Sequence, residues 1–226
     1  MQGQVFVERF RGACYGFCCR VALTISMLGD AIDTLIPLGD NGLGASKREE
    51  VDVEEHVDLA QTIRDIPDFP APGIVFKDIT TLLKDPGAFR YAIDSLTEYY
   101  QDQDIDVIVG IESRGFIFAA PLAYNLGKPL VPVRKLGTLP GLTAQLEYSL
   151  GNRTNTLEMH RDAVEPDQHV LIVDDLLGTG RTAAATAQLV SELGGIVVGV
   201  AVVVELTTLE GRQNLEDYDV YSLVQF

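Results

Sequence analysis

Val170-Leu-Ile-Val-Asp-Asp-Leu-Leu-Gly-Thr-Gly-Arg-Thr182 is the stretch of the chain that decides the fold. A short apolar run leads into two adjacent acids, Asp174 and Asp175, and a loop of small residues separates them from the next helical pattern. A short apolar run bounded by turn residues predicts a buried strand. The order strand, loop, helix is typical of α/β proteins, in which helices cover both faces of a parallel sheet.

The loop favours a ligand that carries both phosphate and sugar. Its small residues allow backbone N–H groups to close around a phosphate, and the start of the following helix adds partial positive charge. These small residues are Gly178, Thr179, Gly180 and Thr182. The two acids would repel a phosphate, but they suit sugar hydroxyls or a metal ion. The residue after Gly180 is not Lys, which excludes the loop of nucleoside triphosphatases, and the glycine spacing does not fit the dinucleotide-binding pattern.

Apolar runs and helical periodicity alternate along the chain from Leu59 onward. This alternation predicts parallel strands joined by helices. Residues 137–156 lack core-facing periodicity, which indicates either a mobile functional loop or a hairpin. The predicted elements are a helix from Pro86 to about Gln101, a strand over 106–111, a helix over 114–125 that ends at Gly127, strands over 129–133 and 169–174, a helix over 182–193, and strands over 196–205 and 218–224.

Charge and cysteine content narrow the class of partner. The chain has 17 Lys and Arg against 33 Asp and Glu, a net charge of −16, which argues against broad binding to nucleic acid or to an anionic membrane. No apolar run reaches the roughly 18 residues that a membrane-spanning helix needs. The three cysteines all lie in the first 19 residues without the spacing of a zinc site, and their absence elsewhere favours a reducing compartment such as the cytoplasm.

Residues 170–182 resemble the 5-phosphoribosyl-1-pyrophosphate (PRPP) motif of type I phosphoribosyltransferases. The resemblance covers roughly residues 59–226 and is specific to the adenine phosphoribosyltransferases. The other similar segments are Asp68-Phe-Pro-Ala-Pro-Gly-Ile-Val-Phe-Lys-Asp-Ile-Thr80, Gly110-Ile-Glu-Ser-Arg-Gly-Phe116, Pro132-Val-Arg-Lys135 with Leu139-Pro-Gly141, and Val204-Glu-Leu-Thr207.

The resemblance implies the type I phosphoribosyltransferase fold of the α/β class. In that fold a central, mostly parallel β-sheet is flanked by helices on both faces, with a small N-terminal hood and a flexible catalytic loop. We expect residues 58–226 to form this domain. We expect residues 1–57 to be an N-terminal extension, either poorly ordered or the product of a start codon assigned too far upstream.

The resemblance also implies which residues bind PRPP. Asp174 and Asp175 would hold the ribose hydroxyls, and Glu112, Ser113 and Arg114 resemble a pyrophosphate loop that often contains a non-proline cis peptide. Arg134 and Lys135 would add charge at the pyrophosphate, with this Arg reaching a partner subunit's site in the family. The residues of the 5-phosphate loop would be Gly178, Thr179, Gly180, Arg181 and Thr182. Arg181 stands where Gly is usual, so its side chain would either add charge beside the phosphate or point to solvent.

Val75, Phe76 and Lys77 resemble the hood that encloses adenine, with the Phe76 ring packed near the base. The catalytic loop departs from the family pattern Tyr-x-Leu-Glu-Tyr-Gly, in which the Glu is the proposed general acid/base. Here Gly151-Asn152-Arg153 follows Tyr148-Ser-Leu150. The catalytic candidates are therefore Arg114 and, if the loop slides by three residues, Glu147.

The implied activity is that of a pentosyl transferase that converts adenine and PRPP to AMP and pyrophosphate in purine salvage. Mg²⁺ would bind mainly through PRPP and pyrophosphate, so no dedicated protein metal ligands are expected. A cytoplasmic homodimer is expected, with residues 79–83 and Arg134 near the interface. Two alternatives remain open: a phosphoribosyltransferase for another purine base, and a PRPP-binding regulator without catalysis.

Overall fold

The structure is a computed structural model of the chain and describes residues 57–69, 71–150 and 153–226. Two short strands, β1 (Arg64–Ile66) and β2 (Phe76–Asp78), pair in an antiparallel ribbon. The remaining described strands are β3 (Val107–Ile111), β4 (Leu130–Lys135), β5 (Thr143–Leu150), β6 (Arg153–His160), β7 (His169–Leu177), β8 (Ile196–Glu205) and β9 (Val220–Gln225). They form one sheet in the order β5-β6-β4-β3-β7-β8-β9.

The described helices have ends that the sequence explains. They are α1 (Leu59–Thr62), α2 (Thr80–Lys84), α3 (Pro86–Tyr100), α4 (Gly115–Leu126) and α5 (Arg181–Glu192), with 3₁₀ turns at Thr207–Leu209 and Gly211–Leu215. The Asp85 carboxylate caps α3 by accepting from Gly87 N and Ala88 N, and Pro86 occupies the first turn. Gly127 ends α4 with φ of 63°, a conformation that favours glycine.

Chain order places the carboxyl ends of β3 and β7 at the topological switch point of the sheet. Strands β4, β3, β7, β8 and β9 are parallel to one another, and β6 and β5 add antiparallel strands at the β4 edge. From β3 the chain moves to β4 on one side, and it later returns to β7 on the other side. In an open α/β sheet this topological switch point forms a crevice beyond the strand ends.

Two apolar clusters cover the two faces of the sheet. Successive residues of a strand point to opposite faces, so Leu171 and Val173 join one cluster while Val170 and Ile172 join the other. The first cluster includes α3 and α4, and the second includes α5. Because both faces are buried, the central strands contain almost uninterrupted apolar runs.

The predicted fold class and the predicted strands and helices are confirmed, with shifts of a few residues at their ends. The statement that residues 137–156 lack core-facing periodicity is wrong. They fall largely in an antiparallel hairpin of β5 and β6, hereafter the β5–β6 hairpin, whose Ala144, Leu146 and Tyr148 pack against the second cluster. Hairpin was one of the two predicted alternatives for this segment. Apart from Val57, the expectation for residues 1–57 lies outside the described residues.

Within the described ranges, no helix is both long enough and apolar enough to cross a membrane.

Candidate active site

Residues 178–182, hereafter the phosphate loop, connect β7 to α5 and present free backbone donors. The N–H groups of Thr179, Gly180 and Thr182 donate to no acceptor within the described chain. Those at the start of α5 lack partners because a helix leaves its first N–H groups unpaired. Gly180 has φ of 74°, which favours glycine. The loop therefore offers N–H groups and the positive end of a helix to an anion.

The turn Gly211–Leu215 lies directly behind the phosphate loop. A Cβ atom on Gly180 would stand 2.2 Å from the Gly211 carbonyl oxygen, so the two backbones touch. Asn214 Nδ2 donates to the carbonyl oxygen of Thr179 at 2.8 Å. Sequence reasoning missed this support, and nothing local in the sequence signals it because the partners are 35 residues apart.

An ion pair between Arg212 and the buried Glu205 carboxylate anchors the same turn to the sheet. Arg212 makes two hydrogen bonds of 2.7 Å to the Glu205 carboxylate at the end of β8. The Glu205 side chain is only 6% exposed. Hydrogen bonds from Arg212, with others from Ser222 and Gln225, hold the pKa of Glu205 below its usual value. Glu205 lies in the Val204–Thr207 segment that carried the resemblance, but its pairing with Arg212 was not predicted.

Asp174 and Asp175 lie at the end of β7, beside the switch point. Burial raises the pKa of Asp174 well above its usual value, and the Asp175 charge adds to the effect. Burial also raises the pKa of Asp175, although the Arg114 guanidinium opposes that rise. Arg114 Nε lies 3.1 Å from Asp175 Oδ2, yet this buried oxygen accepts no hydrogen bond from the described residues. Its capacity to accept a hydrogen bond is therefore unused among the described residues.

The segment after β3 holds Arg134 and Lys135 through Glu112. Arg134 Nη2 donates to Glu112 Oε1 at 3.0 Å, and Lys135 N donates to Glu112 Oε2 at 2.8 Å. The hydrogen bond from Arg134 and then that from Lys135 N lower the pKa of Glu112, so the carboxylate stays ionised. The Glu112–Ser113 peptide is cis, as predicted. Glu112 thus pairs with the Arg134 guanidinium and the Lys135 backbone N–H instead of contacting an anion.

Glu158 on β6 holds the turn that follows β4, and sequence reasoning missed it. Its buried carboxylate accepts from Thr138 N and Leu139 N, both at 2.8 Å. Burial raises the pKa of Glu158, but the hydrogen bonds outweigh burial, so the net shift is downward. Arg134 Nη1 also donates to the Thr138 carbonyl at 3.0 Å. Arg134 is therefore held on two sides by its own chain.

The β1–β2 ribbon brings the predicted hood to the switch point. The Phe76 ring meets the Phe69 ring edge-on at 5.4 Å, and the Arg114 guanidinium lies 5.7 Å from the centre of the Phe76 ring. Val75 is half-exposed beside it. Lys77 Nζ pairs with Asp65 and lies over the Phe226 ring, so its charge is directed to the ribbon and to that ring.

Two hydrogen bonds join the β5–β6 hairpin to the phosphate loop. The Tyr148 hydroxyl lies 3.3 Å from Thr182 Oγ1, and Arg181 Nη1 donates to the Ser149 carbonyl at 3.2 Å. Arg181 thus contacts the hairpin, an arrangement that neither predicted alternative described. Glu147 is exposed and alternates with Tyr148, so it lies on the opposite face of the strand.

The structure brings three predicted groups into one contact chain: Phe76 of the hood, Arg114 of the pyrophosphate segment and Asp175 of the ribose pair. It does not bring Glu147 into contact with them. Ile79 and Leu82, which were expected near a subunit interface, are buried in the chain's own core. Among the described residues, no group of three or more His, Cys, Asp or Glu is arranged to hold a metal ion.

Residues 78–225 match the family model described as "Phosphoribosyl transferase domain". The chain is 59% identical over 169 residues to an adenine phosphoribosyltransferase of Chloroflexus aurantiacus, which covers 75% of this chain and 98% of the relative. It is 56% identical over 170 residues to the adenine phosphoribosyltransferase of Acaryochloris marina, with 75% and 100% covered.

Two solved structures have the same fold. The adenine phosphoribosyltransferase of Thermoanaerobacter pseudethanolicus is 52% identical, with a TM-score of 0.72, and the match covers 74% of this chain and 98% of that one. The enzyme of Saccharomyces cerevisiae, complexed with D-2,5-dideoxy-2,5-imino-altritol 1,6-bisphosphate and adenine, is 38% identical with a TM-score of 0.69. That match covers 74% of this chain and 96% of the yeast chain.

Proposed function

The chain belongs to the phosphoribosyltransferase family, and on that premise we propose that it acts as an adenine phosphoribosyltransferase of purine salvage. It transfers the 5-phosphoribosyl group of PRPP to adenine and yields AMP and pyrophosphate. The main support for this proposal is the contact chain Phe76–Arg114–Asp175. At one switch point it brings together an aromatic ring that can stack on a purine base, a cation for the pyrophosphate and an acid for the ribose.

The phosphate loop binds the 5-phosphate of PRPP. Its free N–H groups and the start of α5 supply donors and partial positive charge without a lysine. The Thr179 and Thr182 hydroxyls add donors. Gly178 and Gly180 keep the backbone close to the ligand.

Asp174 and Asp175 accept hydrogen bonds from the ribose hydroxyls. The buried Oδ2 atom of Asp175 supports this role: it forms an ion pair with Arg114 but accepts no hydrogen bond from the described residues, and an unmade hydrogen bond at a buried acceptor is costly. Arg114 stabilises the ionised form of Asp175 from one side and leaves a planar guanidinium for the pyrophosphate.

Glu112 and Ser113 shape the pyrophosphate segment, while Arg114, Arg134 and Lys135 supply its charge. Glu112 acts by fixing Arg134, since an ionised carboxylate does not bind an anion directly. Because Glu112 and the Thr138 carbonyl already hold Arg134, its charge serves this chain's own site.

The hood places adenine against the Phe76 ring, with Val75 and Lys77 beside it. The N9 lone pair attacks C1 of the ribose, the C1–O bond to pyrophosphate breaks, and pyrophosphate leaves with the electron pair. The chain's part is to align the two reactants and to stabilise the charge that builds on the leaving group.

Mg²⁺ would be held mainly by phosphate oxygens of PRPP and by water, and it would supply positive charge that offsets part of the pyrophosphate charge. The described residues fit an ion that is held mainly by its substrate, since no group of three or more His, Cys, Asp or Glu among them is arranged to hold a metal ion. Glu147 is the side chain proposed to take the N9 proton. This role requires the hairpin to move, because Glu147 faces away from the Tyr148 contact. Replacing Glu147 with Gln should lower kcat with little change in the KM for PRPP; an unchanged kcat would remove Glu147 from the mechanism.

The base specificity is tested with purified protein, PRPP and Mg²⁺, supplied separately with adenine, hypoxanthine, guanine or xanthine. Chromatography should find AMP from adenine and no nucleotide from the other bases. IMP, GMP or XMP as the main product would assign another purine base. PRPP binding without any nucleotide would favour a regulator.

We also propose a cytoplasmic homodimer. Exposed apolar side chains support an interface, Tyr124 and Leu142 being 86% and 77% exposed. Sedimentation of the purified protein should give twice the 24.6 kDa chain mass, and a monomer at micromolar concentration would contradict the proposal. Cell fractionation tests the compartment.

A further inference from the structure

The turn Gly211–Leu215 packs against the phosphate loop without side chains between them. A Cβ on Gly211 would lie 2.2 Å from the Gly178 carbonyl oxygen, and a Cβ on Gly180 would lie 2.2 Å from the Gly211 carbonyl oxygen. Side chains are excluded from both sides of this contact. The position of the turn therefore sets the position of the loop.

Asn214 is the residue of the turn that reaches the loop with a side chain. Its Nδ2 atom donates to the Thr179 carbonyl at 2.8 Å. In a trans peptide the carbonyl and the following N–H point in opposite directions. Holding the Thr179 carbonyl therefore turns the Gly180 N–H away from Asn214, and this N–H has no acceptor within the described chain.

Arg212 and Glu205 keep Asn214 in place. The bidentate pair fixes the turn two residues before Asn214 to the buried end of β8. Leu206 N also donates to the Leu177 carbonyl at 2.9 Å, which ties the segment after β8 to the residue before the phosphate loop. The turn and the loop thus share one rigid base.

We propose that Asn214 is a positioning residue for the phosphate loop. By holding the Thr179 carbonyl, it directs the Gly180 N–H toward the 5-phosphate of PRPP. Asn214 itself does not touch the ligand. This inference rests on the proposed function, since it assigns the phosphate that the loop binds.

The test compares Asn214→Ala and Asn214→Asp with Gln213→Ala, a matched control at an exposed position of the same turn. Calorimetry measures binding of ribose 5-phosphate and of inorganic pyrophosphate. Asn214→Ala should weaken ribose 5-phosphate binding about tenfold, the effect of one hydrogen bond, and raise the KM for PRPP similarly. Asn214→Asp should weaken ribose 5-phosphate binding further, because a carboxylate repels both the Thr179 carbonyl oxygen and the phosphate. The Asn214 variants should keep wild-type pyrophosphate binding and a wild-type KM for adenine. The Gln213→Ala control should match the wild type in every measurement.

Unchanged ribose 5-phosphate binding in both Asn214 variants would overturn the proposal. Equal losses for ribose 5-phosphate and pyrophosphate would also overturn it, because they would indicate a general loss of structure instead of a loop effect. The binding measurements do not depend on turnover. A wild type that binds ribose 5-phosphate but makes no AMP would contradict the proposed function alone, whereas a wild type that binds neither ribose 5-phosphate nor PRPP would overturn both.

Discussion

The phosphate loop and the β5–β6 hairpin meet at Thr182, but they are held in different ways. Backbone holds the loop: Gly180 and Gly211 touch directly, and the buried strands β7 and β8 lie beneath. Backbone pairing attaches the hairpin to the sheet where β6 meets β4, but toward the loop it is held by side chains: Tyr148, Arg181 and a half-buried apolar face that includes Leu146.

This difference separates the part of the site that must be formed in advance from the part that tolerates variation. Fixed N–H groups bind an anion without reorganisation, so the loop requires a rigid base. In the sequence, Gly151 follows Tyr148-Ser-Leu150 where Glu is usual in the family pattern, and Arg181, whose side chain contacts the hairpin, stands where Gly is usual. Substitutions that disrupt a backbone contact should therefore lower the free energy of unfolding more than substitutions that remove a side-chain contact.

Gly180→Ala should have the largest effect. The added Cβ would stand 2.2 Å from the Gly211 carbonyl oxygen, and φ of 74° is unfavourable for alanine. We expect a loss of at least about 2 kcal/mol in the free energy of unfolding, measured in urea, and loss of PRPP binding.

Gly178→Ala is the matched control for this substitution. Its Cβ would meet no atom closer than 3.4 Å, the Leu209 side chain, so stability should stay near that of the wild type. Equal unfolding free energies for Gly180→Ala and Gly178→Ala would contradict the inference that backbone contact with Gly211 holds the loop.

Leu146→Ala should lower the free energy of unfolding less than Gly180→Ala does, because the apolar face of the hairpin is only partly buried. Full burial of a leucine contributes about 2–5 kcal/mol, so a half-buried Leu146 should contribute about 1–2 kcal/mol. Ser149→Ala, on the exposed face of the same strand, should change stability little. If Ser149→Ala cost as much as Leu146→Ala, the hairpin would not pack through its apolar face.

Asp174→Asn should stabilise the fold while it removes one of the two acids proposed to bind the ribose. Burial and the Asp175 charge raise the pKa of Asp174, so the folded state binds this proton more tightly than the unfolded state. The ionised side chain therefore destabilises the fold as pH rises through the raised pKa. Asn keeps an oxygen for the Asp175 N–H, which donates to Asp174 at 2.9 Å.

At pH 8 the Tm of Asp174→Asn should exceed that of the wild type by about 2–4 °C, the shift for roughly 1 kcal/mol. The difference should shrink as pH falls and vanish below the unfolded pKa of 3.8. A difference that grows toward acid pH would have the wrong sign and would contradict the raised pKa of Asp174.

The strands and helices were predictable because their signals are local. Strands buried on both faces read as continuous apolar runs, as in Val170–Val173, and Asp85-Pro86 and Gly127 mark helix ends by their own chemistry. The alternation of Ala144, Leu146 and Tyr148 is also a local signal, and it marks the half-buried face of β5.

The contacts within the site were not predictable, because they join distant segments. Arg114 and Asp175 were assigned to one site by resemblance, yet their 3.1 Å approach depends on β3 and β7 being neighbours. The same holds for Asn214 and Thr179, and for Glu158 and the turn at Thr138. Residue type indicated which groups are chemically useful, and only the topology showed which groups support them.

Arg181→Ala should have the smallest effect on global stability and should act on the hairpin alone. Its hydrogen bond to the Ser149 carbonyl is exposed, so the free energy of unfolding should fall by less than about 0.5 kcal/mol. Amide hydrogen exchange should nevertheless become faster in β5 and β6, because one of the two hydrogen bonds between the hairpin and the α5 end is lost. Arg90→Ala is the control, since Arg90 is an exposed arginine of α3 without a hydrogen bond or ion pair to the described residues. Exchange that rises equally in the hairpin and in β7 would mean that the two regions open together, and the contrast between a backbone-held loop and a side-chain-held hairpin would then fail.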